Sequence, residues 1–261
     1  MQVSTHPAGT CCWVELGTTD TEGAKRFYAA LFGWTCDDSP AGPGETYTIL
    51  RRGGLDVGGL YALRPAERTG ERPSRWLVYF SVDDVNASTP RVPALGGTVV
   101  AGPFDVGTNG RMTIAADPEG VTFALWQPAL RAGSGIEGED GAVSWTELAT
   151  HDPERALAFY GSLFGWSFEA RRAPAIPYHF ARQGGHMVAG IFPLEGAAMA
   201  NVAAHWMIYF QVASCDERAA WVAAHRGRIV VAPTDVPGWG RFAVLEDPQG
   251  ALLSIVEIRR E

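Results

Sequence analysis

The chain has 261 residues, of which 46% are hydrophobic and 19% are charged, and its formal net charge is −8. This composition is typical of a globular protein and excludes a disordered or fibrous chain. Basic residues form only isolated pairs such as Arg171-Arg172 and Arg259-Arg260, so the sequence offers no basic patch for a nucleic-acid backbone. We therefore expect no nucleic-acid partner.

The cysteine pattern and the N-terminal sequence indicate the cellular compartment of the protein. The four cysteines lack the spacing of a metal site, which predicts free thiols; they are Cys11, Cys12, Cys36 and Cys215. The first residues lack the apolar core of a signal peptide, and no apolar run approaches the length of a membrane span. These features predict a cytoplasmic protein with no membrane partner, present as a monomer or a homodimer.

The first predicted element is a short strand at residues 12–16. Side chains alternate between the two faces of a strand, so Trp13 and Glu15 are expected on the same face. Asp20 is a typical N-cap for the amphipathic helix that follows, and Gly33 is a typical residue to end it.

The rest of the first half is predicted to contain strands and a second helix. This helix should begin near Asp84 and be shortened by Pro90 and Pro93, because proline lacks the amide hydrogen that a helix interior requires. The strands are expected at residues 46–50, 57–61, 76–82, 112–115 and 122–127.

The second half of the sequence repeats the first at an interval of 132 to 130 residues. A period of this length indicates two copies of a small domain rather than a solenoid of short repeats. The repeated segments are Trp-x-Glu-Leu at 13–16 and 145–148, Phe-Tyr-x-x-Leu-Phe-Gly-Trp at 27–34 and 159–166, and Asp-Pro-x-Gly at 117–120 and 247–250.

The repeat predicts a first module at residues 1–130, a linker at 131–141 and a second module at 142–261. The linker region is rich in glycine, serine and acidic residues. The second module should contain its own capped helix and another that begins near Asp216. Its strands are expected at residues 143–148, 178–182, 188–192, 206–212, 242–245 and 252–258.

The segment Leu-x-Thr-x-Asp also precedes the first helix of each module. Together these motifs resemble those of the glyoxalase, bleomycin-resistance and extradiol-dioxygenase superfamily, whose members are also called vicinal oxygen chelate proteins. The resemblance covers nearly the whole chain. The chain is most similar to tandem two-module actinobacterial members. The resemblance implies an α+β fold of paired βαβββ units, with curled mixed sheets around cavities that bind small molecules, often over a divalent metal. Lyase, isomerase and oxygenase activities are the reaction classes that it implies.

The resemblance also implies three metal-ligand positions in each module, normally two histidines and a glutamate. Neither module has these residues, and none of the replacements is a competent ligand for a divalent cation. We therefore expect no metal cofactor at the family position. The matching residues are Trp13, Leu77 and Ala124 in the first module, and Trp145, Met207 and Ser254 in the second.

A different metal site remains an alternative in the second module. Glu147 lies two residues beyond the vacated first position, His179 follows Tyr178 in a predicted strand, and His205 precedes Trp206 at the start of another. A metal-dependent lyase or dioxygenase with a non-standard ligand set could use them. The first module has no equivalent histidines, so surface or core roles are the simpler interpretation.

Glu15 and Glu147 are the candidate catalytic residues. Strand alternation points both carboxylates into the predicted cavities beside aromatic side chains, where the pKa of a carboxyl group should be raised. Either could then act as a general base on an acidic C–H bond or a phenol. The structural alternative is that backbone or arginine hydrogen bonds hold each glutamate and pin the two modules together.

The remaining candidates are expected to bind a ligand. Aromatic walls favour flat apolar or phenolic molecules. Trp126 replaces Val256 in the first module, which predicts that the open pocket lies in the second. The favoured function is a metal-independent enzyme acting on a small aromatic or carbonyl metabolite; the alternative is a non-catalytic drug-binding or metabolite-binding protein of the bleomycin-resistance type. The ligand-binding candidates are Trp13, Tyr79, Trp145, His205, Met207, Tyr209, Trp239 and Ser254.

Overall fold

The computed structural model describes residues 1–68, 74–172 and 177–258, so Arg259-Arg260 lie outside the described residues. Within these ranges the chain forms two eight-stranded mixed sheets, one from each half of the sequence. Helices cover one face of each sheet. The predicted α+β fold with two tandem modules is therefore confirmed.

The helices and strands of the first module are β1 (Cys11–Thr18), α1 (Thr21–Phe32), β2 (Thr35–Gly42), β3 (Glu45–Arg52), β4 (Leu55–Ala62), β5 (Arg75–Ser81), α2 (Val85–Ser88), α3 (Arg91–Ala94), β6 (Thr98–Val106), β7 (Gly110–Ala116) and β8 (Thr122–Pro128). Its sheet has the strand order β2-β3-β4-β1-β5-β8-β7-β6. At its centre, β1 runs parallel to β4 and antiparallel to β5, and β5 runs parallel to β8. The two βαβββ units of the module therefore meet between β1 and β5.

The second sheet repeats this arrangement in the order β10-β11-β12-β9-β13-β16-β15-β14. Its central strands pair in the same way, with β9 parallel to β12 and antiparallel to β13. The elements are β9 (Val143–Thr150), α4 (Pro153–Phe164), β10 (Ser167–Arg172), β11 (Pro177–Gln183), β12 (His186–Pro193), β13 (His205–Gln211), α5 (Cys215–Ala224), β14 (Arg228–Val236), β15 (Gly240–Glu246) and β16 (Leu252–Ile258).

The predicted helix boundaries are largely confirmed. The Asp20 carboxylate accepts a hydrogen bond of 2.9 Å from the Gly23 amide at the start of α1, and Gly33 ends this helix at a φ of 67°. Proline interrupts the next helical segment, which forms two four-residue helices around Pro90. α5 begins at Cys215, close to the predicted Asp216, and the side chain that accepts its capping hydrogen bond is that of Ser214.

Four strands were absent from the sequence prediction, and all are edge strands: β2, β6, β10 and β14. Three of them contain a proline, at Pro40, Pro103 and Pro233. Proline is tolerated at a sheet edge because no neighbouring strand needs its missing amide hydrogen. β2 is also exposed along its whole length, so it lacks the alternation that reveals a half-buried strand.

The two modules share one core. Phe32 of α1 packs against Phe210 of the second sheet at a ring-centroid distance of 5.1 Å, and Phe164 of α4 packs against Phe80 of the first sheet at 4.9 Å. The Trp34 indole donates a hydrogen bond of 2.7 Å to the Gly141 carbonyl oxygen. Each first helix therefore contributes to the hydrophobic core beneath the opposite sheet.

Candidate functional site

The predicted site residues of the second module lie together on the sheet face opposite to the helices, which we call the inner face. Trp145 lies across from Tyr209, Glu147 across from Met207, and Tyr209 across from Ser254. The central strands β9, β13 and β16 carry these residues, and alternation along each strand keeps them on one face. The first module has the same arrangement at Trp13, Glu15, Leu77, Tyr79 and Ala124.

Aromatic side chains hold the Glu147 carboxylate on the inner face. Its Oε1 accepts hydrogen bonds from the Tyr178 hydroxyl at 2.6 Å and the Trp145 indole at 3.1 Å. Its Oε2 accepts one from the Tyr209 hydroxyl at 2.8 Å. Burial raises the pKa of Glu147 above its ordinary value, and these hydrogen bonds offset only part of that effect. The result is a positioned carboxylate that is more basic than one in water.

Glu15 has a related but different environment. Both of its phenol donors, Tyr47 at 3.0 Å and Tyr79 at 2.8 Å, bind the same oxygen, Oε2. The Trp13 indole donates to the Tyr47 hydroxyl at 3.0 Å rather than to the carboxylate. Burial also raises the pKa of Glu15, against the opposing effect of the two tyrosine hydrogen bonds. The repeat has therefore kept a phenol-bound carboxylate in both modules.

These contacts test the alternative in which the two glutamates have a structural role and pin the modules together. All the donors just described belong to the same module as the glutamate that they contact, and they are phenols and an indole. They therefore do not support a carboxylate that pins the modules together through backbone or arginine donors.

Tyr47 and Tyr178 were not among the predicted site residues, although they complete both carboxylate clusters. Each reaches its glutamate over a glycine on the neighbouring strand. A Cβ atom on Gly59 would lie 1.9 Å from the Tyr47 hydroxyl, and one on Gly190 would lie 1.9 Å from the Tyr178 hydroxyl. The repeated pairing of a tyrosine with a glycine was the sequence signal that could have identified them.

The inner face of the first module is filled. Trp13, Tyr79 and Trp126 are each less than 7% exposed and belong to one packed cluster with Met112. Part of the predicted linker covers this cluster: the Arg131 guanidinium lies 5.7 Å from the centre of the Trp13 ring. The Trp126 indole also donates a hydrogen bond of 3.1 Å to the Arg131 carbonyl oxygen.

Backbone hydrogen bonds hold the linker against the first sheet. The Arg131 amide donates to the Asn109 carbonyl oxygen at 3.0 Å, and the Ser134 amide donates to that of Cys12 at 2.8 Å. Between them, Gly133 approaches so closely that a Cβ atom would lie 2.3 Å from the Cys12 carbonyl oxygen. The segment is therefore an ordered part of the first module's surface.

The inner face of the second module is more open. Trp145, Met207 and Val256 are half-buried there. Trp239 is 44% exposed and stacks on Phe180 at a centroid distance of 5.4 Å. Phe180 in turn lies 6.2 Å from Trp145, so the three rings extend from the carboxylate cluster to the rim.

His205 and His179, the two histidines considered as alternative metal ligands, lie on opposite faces of the sheet. His205 lies across from Ala149, and alternation along β13 puts it on the inner face with Met207. Its Nδ1 is 2.8 Å from the Ala203 carbonyl oxygen. His179 alternates with Tyr178 on β11 and therefore points away from the inner face.

The residues at the family's metal positions do not fit a divalent cation. Indole, aliphatic and thioether side chains and a lone hydroxyl cannot replace two imidazoles and a carboxylate. Throughout the described part of the chain, no group of three or more histidine, cysteine, aspartate or glutamate side chains is placed to hold a metal ion. No helix in the same part of the chain is long and apolar enough to cross a membrane.

One known protein family matches each of the two modules. The model of the Glyoxalase/Bleomycin resistance protein/Dioxygenase superfamily matches residues 12–125 and again residues 142–255. The chain belongs to this superfamily. The resemblance drawn from the repeated motifs is therefore confirmed.

Two similar proteins span nearly the whole chain. "Putative glyoxylase CFP32" of Mycobacterium tuberculosis is 38% identical over 256 residues, which cover 97% of each protein. "Anthracycline biosynthesis protein DnrV" of Streptomyces peucetius is 33% identical over 261 residues, which cover 96% of this chain and 94% of that protein.

Solved structures share the fold at lower sequence identity. The Mn(II)-bound glyoxalase from Novosphingobium aromaticivorans has a TM-score of 0.65 at 16% identity, covering 96% of this chain and 82% of the other. The 2,2',3-trihydroxybiphenyl 1,2-dioxygenase from Sphingomonas wittichii also has a TM-score of 0.65, at 13% identity, covering 96% and 91%. Likeness at this level of identity concerns the fold alone.

Proposed function

We propose that this protein is a metal-independent enzyme that binds a small aromatic or carbonyl compound on the inner face of the second module. Glu147 is the general base in this proposal. The observation that carries it is a carboxylate with a raised pKa, fixed by Tyr178, Tyr209 and Trp145 inside an aromatic wall. A raised pKa makes this carboxylate a stronger base than an ordinary glutamate.

The reaction class is proton transfer at a carbon next to a carbonyl group. An oxygen of Glu147 takes the proton from the C–H bond, and the bonding electron pair moves onto the substrate oxygen as an enolate. Once Glu147 is protonated, it accepts the Tyr178 and Tyr209 hydrogen bonds less strongly. Either phenol can then donate to the enolate oxygen, and the proton returns to carbon to complete an isomerisation or exchange.

The difference between the two inner faces favours the second module. In the first module a packed cluster that includes Trp13, Tyr79 and Trp126 fills the inner face, and Arg131 covers Trp13. In the second module Val256 takes the place of Trp126, and Trp145 is half-buried where Trp13 is buried. We therefore propose that Glu15 preserves the architecture of the site and that Glu147 reacts.

The aromatic rim favours a flat substrate. Trp239, Phe180 and Trp145 offer ring faces that can stack on a polycyclic ligand. The similarity to a protein named for anthracycline biosynthesis supports a polycyclic aromatic ketone with a C–H bond next to its carbonyl group as the substrate class.

The test is hydrogen–deuterium exchange catalysed on a bound ketone. Aryl alkyl ketones and tetralones, which carry an acidic C–H bond next to the carbonyl group, are first screened by thermal shift, and each hit is incubated with the protein in D2O. Deuterium incorporation next to the carbonyl is followed by NMR. We expect exchange by the wild type, retained binding and an exchange rate about 100-fold lower in Glu147→Gln.

Glu15→Gln is the matched control, because it makes the same change in the filled module. Its exchange rate should remain close to that of the wild type. Exchange that persists in Glu147→Gln, or is lost only in Glu15→Gln, would contradict the assignment of the base.

The second candidate function is a non-catalytic binder of flat drugs or metabolites. It is favoured by the complete hydrogen bonding of Glu147, in which both oxygens already accept bonds from the protein. Tight binding of a hit without any deuterium incorporation, and with similar affinity in Glu147→Gln, would select the binder.

A further inference from the structure

Residues 1–7 pair with the linker, and we call them the N-terminal arm. The Val3 amide donates a hydrogen bond of 3.0 Å to the Gly135 carbonyl oxygen, and Gln2 forms an antiparallel bridge with Ile136. The Glu137 amide donates in the other direction, to the Met1 carbonyl oxygen at 3.0 Å. The arm and the linker therefore form a short two-stranded ribbon.

The arm covers a cavity of about 440 Å³ where the two modules meet. Met1, Val3 and His6 lie in its wall on the side of the arm, and Trp13 and Trp145 lie in the wall that the two modules provide. Displacement of the arm would therefore open this cavity to solvent.

His6 is the titratable side chain that holds the arm to the linker. Its side chain is 3% exposed, with Nδ1 at 3.1 Å from Oε1 of Glu137 and Nε2 at 2.9 Å from the Ser134 carbonyl oxygen. Carboxylate and carbonyl oxygens accept hydrogen bonds, and a neutral imidazole has only one N–H to donate. A neutral His6 would therefore leave one of these contacts without a proton, whereas the charged imidazolium satisfies both.

The strength of this contact depends on pH. Burial lowers the pKa of His6, but the hydrogen bonds to Glu137 and Ser134 and the charge of Glu137 outweigh it, so the pKa is raised above its ordinary value of 6.5. The folded state thus binds this proton more tightly than the unfolded chain. The stabilisation is complete below pH 6.5 and is lost as pH rises through the raised pKa.

A second charged contact lies at the start of the arm. The Met1 amine donates hydrogen bonds to Oε1 of Glu139 at 3.0 Å and to the Glu137 carbonyl oxygen. Both partners of the ion pair are more than half exposed, so water screens the attraction between them. The buried contact of His6 therefore holds the arm more strongly than the ion pair of Met1 does.

The other titratable groups near His6 do not compete for its ring. Cys11 stays neutral, because burial raises the pKa of its thiol. His186 lines the same cavity but is exposed at the start of β12. The remaining charges of the linker are paired elsewhere, Arg131 with Asp56 and Asp140 with Arg52. Glu137 is therefore the carboxylate that sets the charge of His6.

The chain beyond the arm is fixed by contacts that do not titrate. The Gly9 amide donates to the Ser81 carbonyl oxygen at 2.8 Å, and the Gly9 carbonyl oxygen accepts a hydrogen bond of 2.8 Å from the Trp166 indole. The Ala8 carbonyl oxygen accepts one of 3.2 Å from the Gln183 side chain. Loss of the His6 contact therefore loosens the arm without detaching Ala8 and Gly9.

We propose that His6 is a pH-sensitive latch, whose protonated ring fastens the N-terminal arm over the cavity between the modules and whose deprotonation releases residues 1–7. The latch does not rest on the proposed function, because neither Glu15 nor Glu147 lines this cavity.

The experiment measures amide hydrogen exchange by NMR on the full chain, with no residues added before Met1. The Val3 and Glu137 amides report on the ribbon, and their exchange rates are corrected for the chemical exchange rate at each pH from about 6 to 9. In the wild type their protection should fall roughly tenfold across this range, the value of one hydrogen bond to a charged group. The Gly9 amide should keep its protection.

Three variants identify the group that titrates. His6→Gln cannot become charged, so the two amides should have low protection without the fall. Glu137→Gln removes the countercharge and should move the midpoint of the fall to lower pH. Glu139→Gln is the matched control for the titratable amine of Met1, because it removes that ion pair and leaves the His6 contact intact. It should keep the midpoint of the wild type.

The latch is overturned if the protection of the Val3 and Glu137 amides is constant from about pH 6 to 9, or if the fall persists in His6→Gln. A midpoint that moves in Glu139→Gln but not in Glu137→Gln also overturns it. If His6→Gln does not fold, the comparison of the two glutamate variants decides. The assignment of Glu147 is unaffected by all these results, because its test follows deuterium in a ketone.

Discussion

The Tyr28 hydroxyl in the first module donates a hydrogen bond of 2.9 Å to Oδ2 of Asp247 in the second. Tyr160 donates the equivalent bond of 3.0 Å to Asp117 in the opposite direction. Each aspartate also accepts amide hydrogens through Oδ1, within its own Asp-Pro-x-Gly turn. Two of the motifs that identify the family therefore meet across the module boundary.

Tyr28→Phe should destabilise the protein by about 1–3 kcal/mol, because it leaves buried polar atoms without partners. The change removes the donor to Asp247 and also the acceptor of the Trp76 indole, which lies 3.2 Å from the Tyr28 hydroxyl. Urea unfolding measures the loss. Tyr160→Phe is the matched variant and should cost a similar amount; no measurable loss in either would show that these bonds are not important for stability.

The stability of the protein should depend on pH through Glu147. Burial raises the pKa of Glu147 in the folded state above the ordinary value of 4.5, so the folded state binds a proton more tightly than the unfolded chain. The free energy of unfolding contributed by this group therefore falls as pH rises from the unfolded pKa to the folded pKa, and is constant above it. Glu147→Gln should remove that slope.

The measurement is the difference in unfolding free energy between the wild type and Glu147→Gln at a series of pH values from about 4 upwards. The wild type should lose stability relative to the variant as pH increases. A difference that changes in the opposite direction would mean that the hydrogen bonds from Tyr178 and Tyr209 outweigh burial.

Gly190→Ala should displace Tyr178 from Glu147, because the new Cβ atom would lie 1.9 Å from the phenol oxygen. We expect a loss of about 1–3 kcal/mol in stability. Adding Tyr178→Phe removes the clashing oxygen, so the double variant should recover part of the loss caused by Gly190→Ala. If the double-mutant cycle shows additive effects, Gly190 is not needed to make room for the Tyr178 hydroxyl.

Protein purified without chelators should retain far less than one equivalent of a divalent metal, because the three family positions carry no competent ligands in either module. Elemental analysis measures the content, and thermal unfolding with and without EDTA should give the same midpoint. One equivalent of iron, manganese, nickel or zinc that is lost in Glu147→Gln or His205→Ala would require a non-standard site.

The sequence predicted the central parts of the fold better than its edges. The strands that carry Trp13 and Trp145 are half-buried and alternate clearly, and the helices that follow have strong caps. β2 has no such pattern, since it is exposed along its whole length, and in β14 exposed positions alternate only with half-buried ones. The order of both strands comes from pairing with a neighbouring strand. Local composition does not report a pairing of this kind.

The candidate site was predictable only in part, for a related reason. Glu147 and Trp145 are close in sequence, so alternation alone places them together. Tyr178 reaches Glu147 from a strand two positions away in the sheet, over Gly190, and only the register reveals that contact. Arg131 covers the inner face of the first module because of the path that the linker takes. The linker is irregular, so its sequence has no periodic pattern from which this path could be predicted.

The reciprocal contacts between the modules resemble those of a symmetric dimer whose two subunits have been joined in one polypeptide. In a dimer of identical subunits, every substitution appears twice, once on each side of the axis. A single chain is free of that restriction. Position 126 can carry tryptophan while its counterpart 256 carries valine, and position 14 can carry valine while its counterpart 146 carries threonine. Joining the modules thus lets the two inner faces differ in how tightly they are packed, which two identical subunits cannot do.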